Sequence, residues 1–272
     1  MNYGFIGCGN MSGAVIKGAL AAGIFSPENV FITEKTPGLA AQKAAESGVL
    51  ACAGYAEIIA KADVLFIGLK PDVFPGFFAE AAPVFRQSGK PIVSLAAGVS
   101  LEKIESLLFA EDKEKGSAFP LIRVMSNLNV ALGQGVTATA RNAAAPDAMY
   151  ETVKGLFARL GAVFELEERL FPVFTALAGS GPAFALLFME SLAKGVHRLG
   201  MDKKTALEAA ARVVLGSAMN CLDGGGAHPW EMIDRVCSPG GTTLEGIYAL
   251  EKAGFAAAVT GAVESAAIKA RG

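Results

Sequence analysis

Histidine is nearly missing from this chain: His197 and His228 are the only two in 272 residues. Neither belongs to a Ser/His/Asp arrangement or a cluster of metal-ligand type, so a triad hydrolase and a histidine metal centre find no residues here, and no metal is expected. His197 falls inside a predicted helix and His228 in a turn before Pro229. Cysteine is scarce as well. Cys8, Cys52, Cys221 and Cys237 form no CxxC pair, which points to reduced, cytoplasmic thiols rather than ligands or a disulfide framework. Charged residues are only 18% of the chain and the net charge is −2, with no basic cluster, so nucleic acid is not an expected partner. The mixed-sign run Glu111-Asp112-Lys113-Glu114-Lys115 reads as a solvated loop. No basic segment precedes the first apolar strand, which begins at residue 2, so no signal peptide is expected. The uncharged run Phe171 to Met189 is long enough for a membrane span, but Pro172, Gly179, Ser180, Gly181 and Pro182 interrupt it. It reads as a buried loop and helix of a soluble protein, with no membrane partner.

Apolar residues make up 52% of the chain and mean hydropathy is +0.42. So little charge covers a lone monomer poorly, and some apolar surface is expected between subunits. Up to about residue 166, apolar strands (Tyr3–Ile6, Val30–Thr33, Val64–Gly68, Pro91–Leu95, Phe119–Val124, Val136–Ala140, Ala162–Glu165) alternate with helical stretches near 14–22, 37–47, 73–85, 101–108 and 146–160. That order predicts an α/β fold, a Rossmann-type doubly wound parallel sheet over residues 1–166. Beyond it the strand signal ends, and helices near 182–199, 203–222, 229–236, 243–253 and 255–270 predict an all-helical dimerisation and substrate-binding domain over 167–272. Helices 182–199 and 203–222 are apolar over more than one face and must be buried, against a partner chain or against the Rossmann domain.

Two loops carry the chemistry. Gly7-Cys8-Gly9-Asn10-Met11-Ser12 follows the first strand and opens a helix, the context in which a GxGxxG-like turn binds a dinucleotide pyrophosphate, with Ser12 in place of a third small residue. Glu34 closes the second strand about twenty residues on, where an acid accepts from a ribose 2′-hydroxyl and disfavours a 2′-phosphate; Lys35 and Thr36 could instead receive that phosphate. NADH and NADPH therefore both stand as cofactors. Lys70-Pro71 and Ala96-Ala97-Gly98 end two further strands. The second of these suits a flat nicotinamide ring or is simply a tight turn, and Lys70 flanks the cofactor or lies on the surface. Near the other end of the chain, Cys237-Ser238-Pro239-Gly240-Gly241-Thr242-Thr243 runs into a predicted helix N-terminus, with Thr242 and Thr243 offering hydroxyls at the cap. Unsatisfied N–H groups and the positive helix end suit a small carboxylate there; the plain alternative is a Gly-rich helix cap.

Gly-Cys-Gly-Asn-Met at 7–11, Lys70-Pro71, Leu95 to Val99, Ala178-Gly179-Ser180-Gly181-Pro182-Ala183-Phe184 and Val236 to Thr243 occur in this order. Together they closely resemble the pyrroline-5-carboxylate reductase family over essentially the whole chain. The resemblance implies NAD(P)H-dependent reduction of 1-pyrroline-5-carboxylate to L-proline, the last step of proline synthesis. It implies that Ser238 and the backbone of Gly240, Gly241 and Thr242 hold the substrate carboxylate while Thr243, the catalytic residue, hydrogen-bonds the ring nitrogen. Gly7, Cys8, Gly9, Asn10 and Met11 match the pyrophosphate loop, and Ala97 the loop beside the nicotinamide. The family commonly has Asn-Thr-Pro where this chain has Asn127-Leu128-Asn129, in a segment facing the cofactor cleft. Members form interlocked homodimers and often rings of dimers, each active site joining the Rossmann domain of one chain to the 238–243 loop of the other. Three competing functions remain: a reductase of a related cyclic imine, a non-catalytic nicotinamide-binding regulator, and a β-hydroxyacid dehydrogenase, which expects a lysine where Ala185 stands.

Overall fold

The computed structural model describes residues 1–36, 38–110, 119–223 and 225–271; the charge run at 111–115 lies outside them. The chain divides into two compact units, Met1–Gly179 with Ala267–Gly272, and Ser180–Ala266.

The first unit runs β1 (Tyr3–Ile6), α1 (Asn10–Ala21), β2 (Val30–Thr33), α2 (Leu39–Ser47), β3 (Leu50–Ala51), α3 (Tyr55–Lys61), β4 (Val64–Ile67), α4 (Phe74–Ser88), β5 (Ile92–Ser94), α5 (Leu101–Leu108), β6 (Leu121–Met125), β7 (Gly135–Arg141), α6 (Asp147–Ala158), β8 (Gly161–Glu165) and α7 (Phe171–Phe174). One eight-stranded sheet has the order β3-β2-β1-β4-β5-β6-β7-β8. β2 and β4 are buried along their whole length, as strands covered on both faces must be. One cluster, with Ile58, Phe74, Phe78, Phe85 and Ile104, packs α3, α4 and α5 on one face; a second, with Val15, Ile16, Tyr150 and Phe157, packs α1 and α6 on the other. Strand order reverses between β1 and β4, and the crevice at their carboxyl ends is where such sheets bind ligands.

The sheet departs from the predicted all-parallel form at one pair. β7 lies antiparallel to β6, with Arg123 opposite Ala140 and Met125 opposite Ala138. Only residues 126–134 join them, too few for the crossover that a parallel neighbour needs.

The stretch after β8 also departs from the sequence reading. Residues 168–179 stay with the first unit: Phe171 is fully buried in its core, the Arg123 guanidinium stacks 4.6 Å from that ring, and Asn127 Nδ2 donates to the Ala178 carbonyl at 3.0 Å. By compactness the first unit thus runs on through Gly179. Nor is Phe171 to Met189 a loop followed by a helix. Pro172 and Pro182 each sit in the first turn of a helix, where the missing N–H costs nothing, and a π turn at Thr175–Gly179 carries the chain between them. The helical stretch Glu168–His197 is long and apolar enough to cross a membrane, and only 17% of its most apolar window is buried.

The second unit holds α8 (Gly181–His197), α9 (Lys203–Asp223), α10 (Pro229–Val236), α11 (Thr242–Lys252) and most of α12 (Phe255–Ala270). α8 packs on α9, and Phe188 meets Phe255 at 5.7 Å between ring centroids. Among the described residues its buried cluster is only Ala193, Ala206 and Ala210. Leu186, Leu187, Val213, Leu215, Met219 and Leu222 are all exposed, so the second unit does not by itself bury α8 and α9.

Candidate active site

Between β1 and α1 the chain turns sharply at Gly7, whose φ of +82° belongs to the left-handed region that glycine occupies without strain. A side chain there would also meet Leu69 Cδ2 at 2.6 Å. Ser12 is buried and its hydroxyl donates to the Gly7 carbonyl at 2.7 Å, closing the turn on itself. A Cβ on Gly68, at the end of β4, would lie 2.0 Å from Ser12 Oγ, so Gly68 supplies the close approach of strand and helix. Gly9 caps α1 with no side-chain hydrogen bond, and a Cβ there would meet nothing within 4 Å. The first N–H groups of a helix have no intrahelical acceptor. With Asn10 and Met11 opening the helix, these groups form an open cradle of donors at the positive end of α1, and a pyrophosphate fits it.

The Cys8 N–H is not free for such a ligand. It donates to Glu34 Oε1 at 2.8 Å, and the Cys8 thiol is buried. Burial foremost, opposed by Lys43 and reinforced by Glu34, pushes the thiol pKa up, so it stays neutral. Glu34, half-buried at the end of β2, also pairs with Lys43 Nζ at 2.5 Å. Lys35, next in sequence, is exposed, and after β4 Lys70 caps the short helical segment Pro71–Val73. A cavity of about 250 Å³ opens among Lys35, Tyr55, Leu69, Asp72, Val73 and Phe77. The Tyr55 hydroxyl donates to Glu80 at 2.7 Å, a bond that raises its pKa.

After β5, Ala96 is buried while Ala97 and Gly98 are exposed, and Gly98 has φ +72°. The turn leads into α5, whose first N–H, from Leu101, donates to Glu168 at 2.8 Å; the same Glu168 oxygen receives Arg123 at 2.6 Å. Asn127 turns its side chain inward. Its amide donates to Ala178 and its oxygen accepts from the N–H groups of Asn129 and Val136, so the side chain is spent on backbone. Leu128 and Asn129, in place of Thr-Pro, begin a short 3₁₀ segment that ends at Leu132.

The Ser238 to Thr243 loop lies in the second unit. Gly240 has φ +67°, and the Gly241 N–H donates to the Ser238 carbonyl at 2.9 Å. A Cβ on Gly241 would sit 2.3 Å from Ser238 Oγ. Gly241, not a threonine, caps α11, and no side chain bonds the cap. Thr242 and Thr243 are therefore the first two residues of the helix, exposed, with their hydroxyls left for something other than capping. His228 caps α10, its ring nitrogen accepting from the Trp230 N–H at 3.3 Å, and His197 bonds the Met201 carbonyl at 2.7 Å. Both histidines thus close turns. Among the described residues no group of three or more His, Cys, Asp or Glu is placed to hold a metal.

Lys43 and Tyr55 are the residues that sequence reading missed. Tyr55 begins a short helix that was not predicted, and Lys43 reaches the turn from α2, with nothing in the motif to point at it.

Comparison with known proteins covers both units. The family model for pyrroline-5-carboxylate reductase dimerisation matches residues 168–272, and that for NADP oxidoreductase, coenzyme F420-dependent, matches residues 2–98. Pyrroline-5-carboxylate reductase 2 of Pongo abelii is 34% identical over 274 residues, spanning all of this chain and 83% of that protein. Among solved structures, 1-pyrroline-5-carboxylate reductase from Streptococcus pyogenes is 33% identical with a TM-score of 0.86, covering 100% of this chain and 98% of that one. The Plasmodium falciparum pyrroline carboxylate reductase with NADP bound is 25% identical, also at 0.86, covering 100% and 97%.

Proposed function

The chain belongs to the pyrroline-5-carboxylate reductase family, and from that premise we propose how its residues divide the reduction of 1-pyrroline-5-carboxylate to L-proline with NADPH or NADH. When bound, the nicotinamide supplies the hydride that reduces the imine carbon. The protein's part is to hold two small molecules in register and to exclude water.

Cofactor binding falls to the first unit. Backbone donors at Gly9, Asn10 and Met11 hold the pyrophosphate, with Gly7 shaping the turn. The cavity beside Lys35, Leu69 and Val73 takes the adenosine end, Lys70 and Pro71 come between two of its lining residues in sequence, Leu69 and Asp72, and Ala96, Ala97 and Gly98 let the nicotinamide lie against the backbone. Cys8 and Asn127 frame the turns rather than touch the cofactor. The second unit holds the substrate. Ser238 and the backbone of Gly240, Gly241 and Thr242 receive the carboxylate, and the Thr243 hydroxyl faces the ring nitrogen of an imine that binds already protonated, so that the hydride alone completes the amine.

The observation that carries this reading is the open N-terminus of α11: a glycine cap with no side-chain bond and two unspent threonine hydroxyls in its first turn. Such an end, with no acidic side chain among Ser238 to Thr243, is built for a carboxylate. The working form is a homodimer made through the matched dimerisation domain; assembly of dimers into a ring and a cytoplasmic location extend the reading. Steady-state turnover with 1-pyrroline-5-carboxylate, beside its six-membered analogue and with each reduced cofactor, tests it. Preference for the larger ring, or no turnover of either, would refute the assignment.

A further inference from the structure

Lys43 enters the glycine turn from α2, and its ammonium touches both partners that matter there. Nζ donates to the Cys8 carbonyl at 2.7 Å and to Glu34 Oε1 at 2.5 Å, and that same Glu34 oxygen accepts the Cys8 N–H at 2.8 Å. The N–H and the C=O of Cys8 are thereby tied into one ring of hydrogen bonds closed by two opposite charges. Each bond is charge-assisted, which makes it shorter and stronger than a neutral one. The pair is also sheltered: the Lys43 and Glu34 side chains are 27% and 14% exposed, unlike the open surface pairs that contribute little. The Cys8 side chain meanwhile is anchored in the core on the sheet's α1 face. With its side chain and both its backbone polar groups held, the residue between Gly7 and Gly9 has no freedom left, although the glycines on either side of it are the most permissive in the motif.

We propose that Lys43 is a cofactor-positioning residue: acting through Glu34 and the Cys8 backbone, it fixes the direction in which the following N–H groups of Gly9, Asn10 and Met11 point at the pyrophosphate. It does not bind phosphate itself, because its charge is spent on Glu34 and the carbonyl. The pyrophosphate is common to both cofactors, so Lys43 acts on NADH and NADPH alike, whereas any choice between them belongs to Glu34 and its neighbours. The inference rests on the reading of the glycine turn as the cofactor's seat.

The test titrates purified dimer with NADH and with NADPH, following nicotinamide fluorescence, for the wild type, Lys43→Met, Lys43→Arg and the double variant Lys43→Met/Glu34→Gln. Loss of one charge-assisted anchor is expected to weaken both cofactors about tenfold in Lys43→Met, and to raise KM for the cofactor by the same factor while kcat stays within about twofold. Lys43→Arg restores most of the affinity. The double variant binds no more weakly than Lys43→Met alone, because the two residues act as a unit. Wild-type affinity in Lys43→Met, or a loss confined to kcat or melting temperature with Kd unchanged, would overturn the proposal while leaving the cofactor reading standing. A wild type that binds neither cofactor would overturn both.

Discussion

Thr243 is the residue on which turnover is expected to hinge. Its hydroxyl is not used to cap α11, and a hydrogen bond to a centre whose charge changes in the reaction contributes more in the transition state than before it. Thr243→Ala is expected to lower kcat about a hundredfold while the cofactor Kd stays unchanged, read by steady-state kinetics beside fluorescence titration. Unaltered kcat would remove Thr243 from the mechanism. Glu34 makes a second expectation at this scale. A glutamine in its place keeps an oxygen to accept both hydrogen bonds but lacks the charge that opposes a 2′-phosphate, so Glu34→Gln should raise NADPH affinity relative to NADH by about tenfold. An unchanged ratio would show that selection lies elsewhere. Glu34 was legible in the sequence because its distance from the glycine turn is set by one βαβ unit. Lys43 was not, since only the folded α2 brings it back to Cys8.

At the scale of elements, two glycines show how tightly the turns and packing are drawn. Gly241→Ala places a methyl group against Ser238 Oγ and within 3.0 Å of the Ser238 carbonyl. The hydroxyl must move out of the proposed carboxylate site, so KM for the imine is expected to rise about tenfold with cofactor affinity intact, measurable in the same assay. Gly18 lies on α1, where a Cβ would meet the Val130 carbonyl oxygen at 2.1 Å. Backbone cannot step aside as a side chain can. Gly18→Ala is expected to destabilise by about 1–3 kcal/mol despite alanine's better helix propensity, seen as a lower denaturant midpoint. Strands with unbroken apolar runs, such as Val64 to Ile67, were legible because burial on both faces leaves that signature. β3 was not, having two residues, both exposed. The direction of β7 was hidden for another reason: hydrophobicity marks a strand's faces but not its sense, and only the short connection from β6 reveals it. Pro172 misled because the same residue that breaks a helix in its middle starts one at its end, whereas Pro182 was read correctly as the start of a helix.

The whole molecule is finished by a second copy. The low charge content already implied that apolar surface would be covered between chains, and the exposed side chains of α8 and α9 lie within the matched dimerisation domain, where a partner is expected to cover them. Leu215, on α9, is 60% exposed in the single chain. Leu215→Glu is expected to shift the protein to monomer at micromolar concentration and to abolish turnover, with sedimentation velocity as the readout; an active dimer would contradict it. A helical unit whose buried cluster, among the described residues, is three alanines has a further consequence, one of time rather than of structure. The sheet, with its aromatic core, is expected to fold alone, whereas the helices are expected to wait for an encounter. A newly made chain is therefore expected to pass through a stage with its pyrophosphate cradle formed and no turnover. Refolding of activity should follow second-order kinetics, while recovery of cofactor binding should be first-order and earlier, so that the enzyme's own concentration sets how soon each new molecule begins to work.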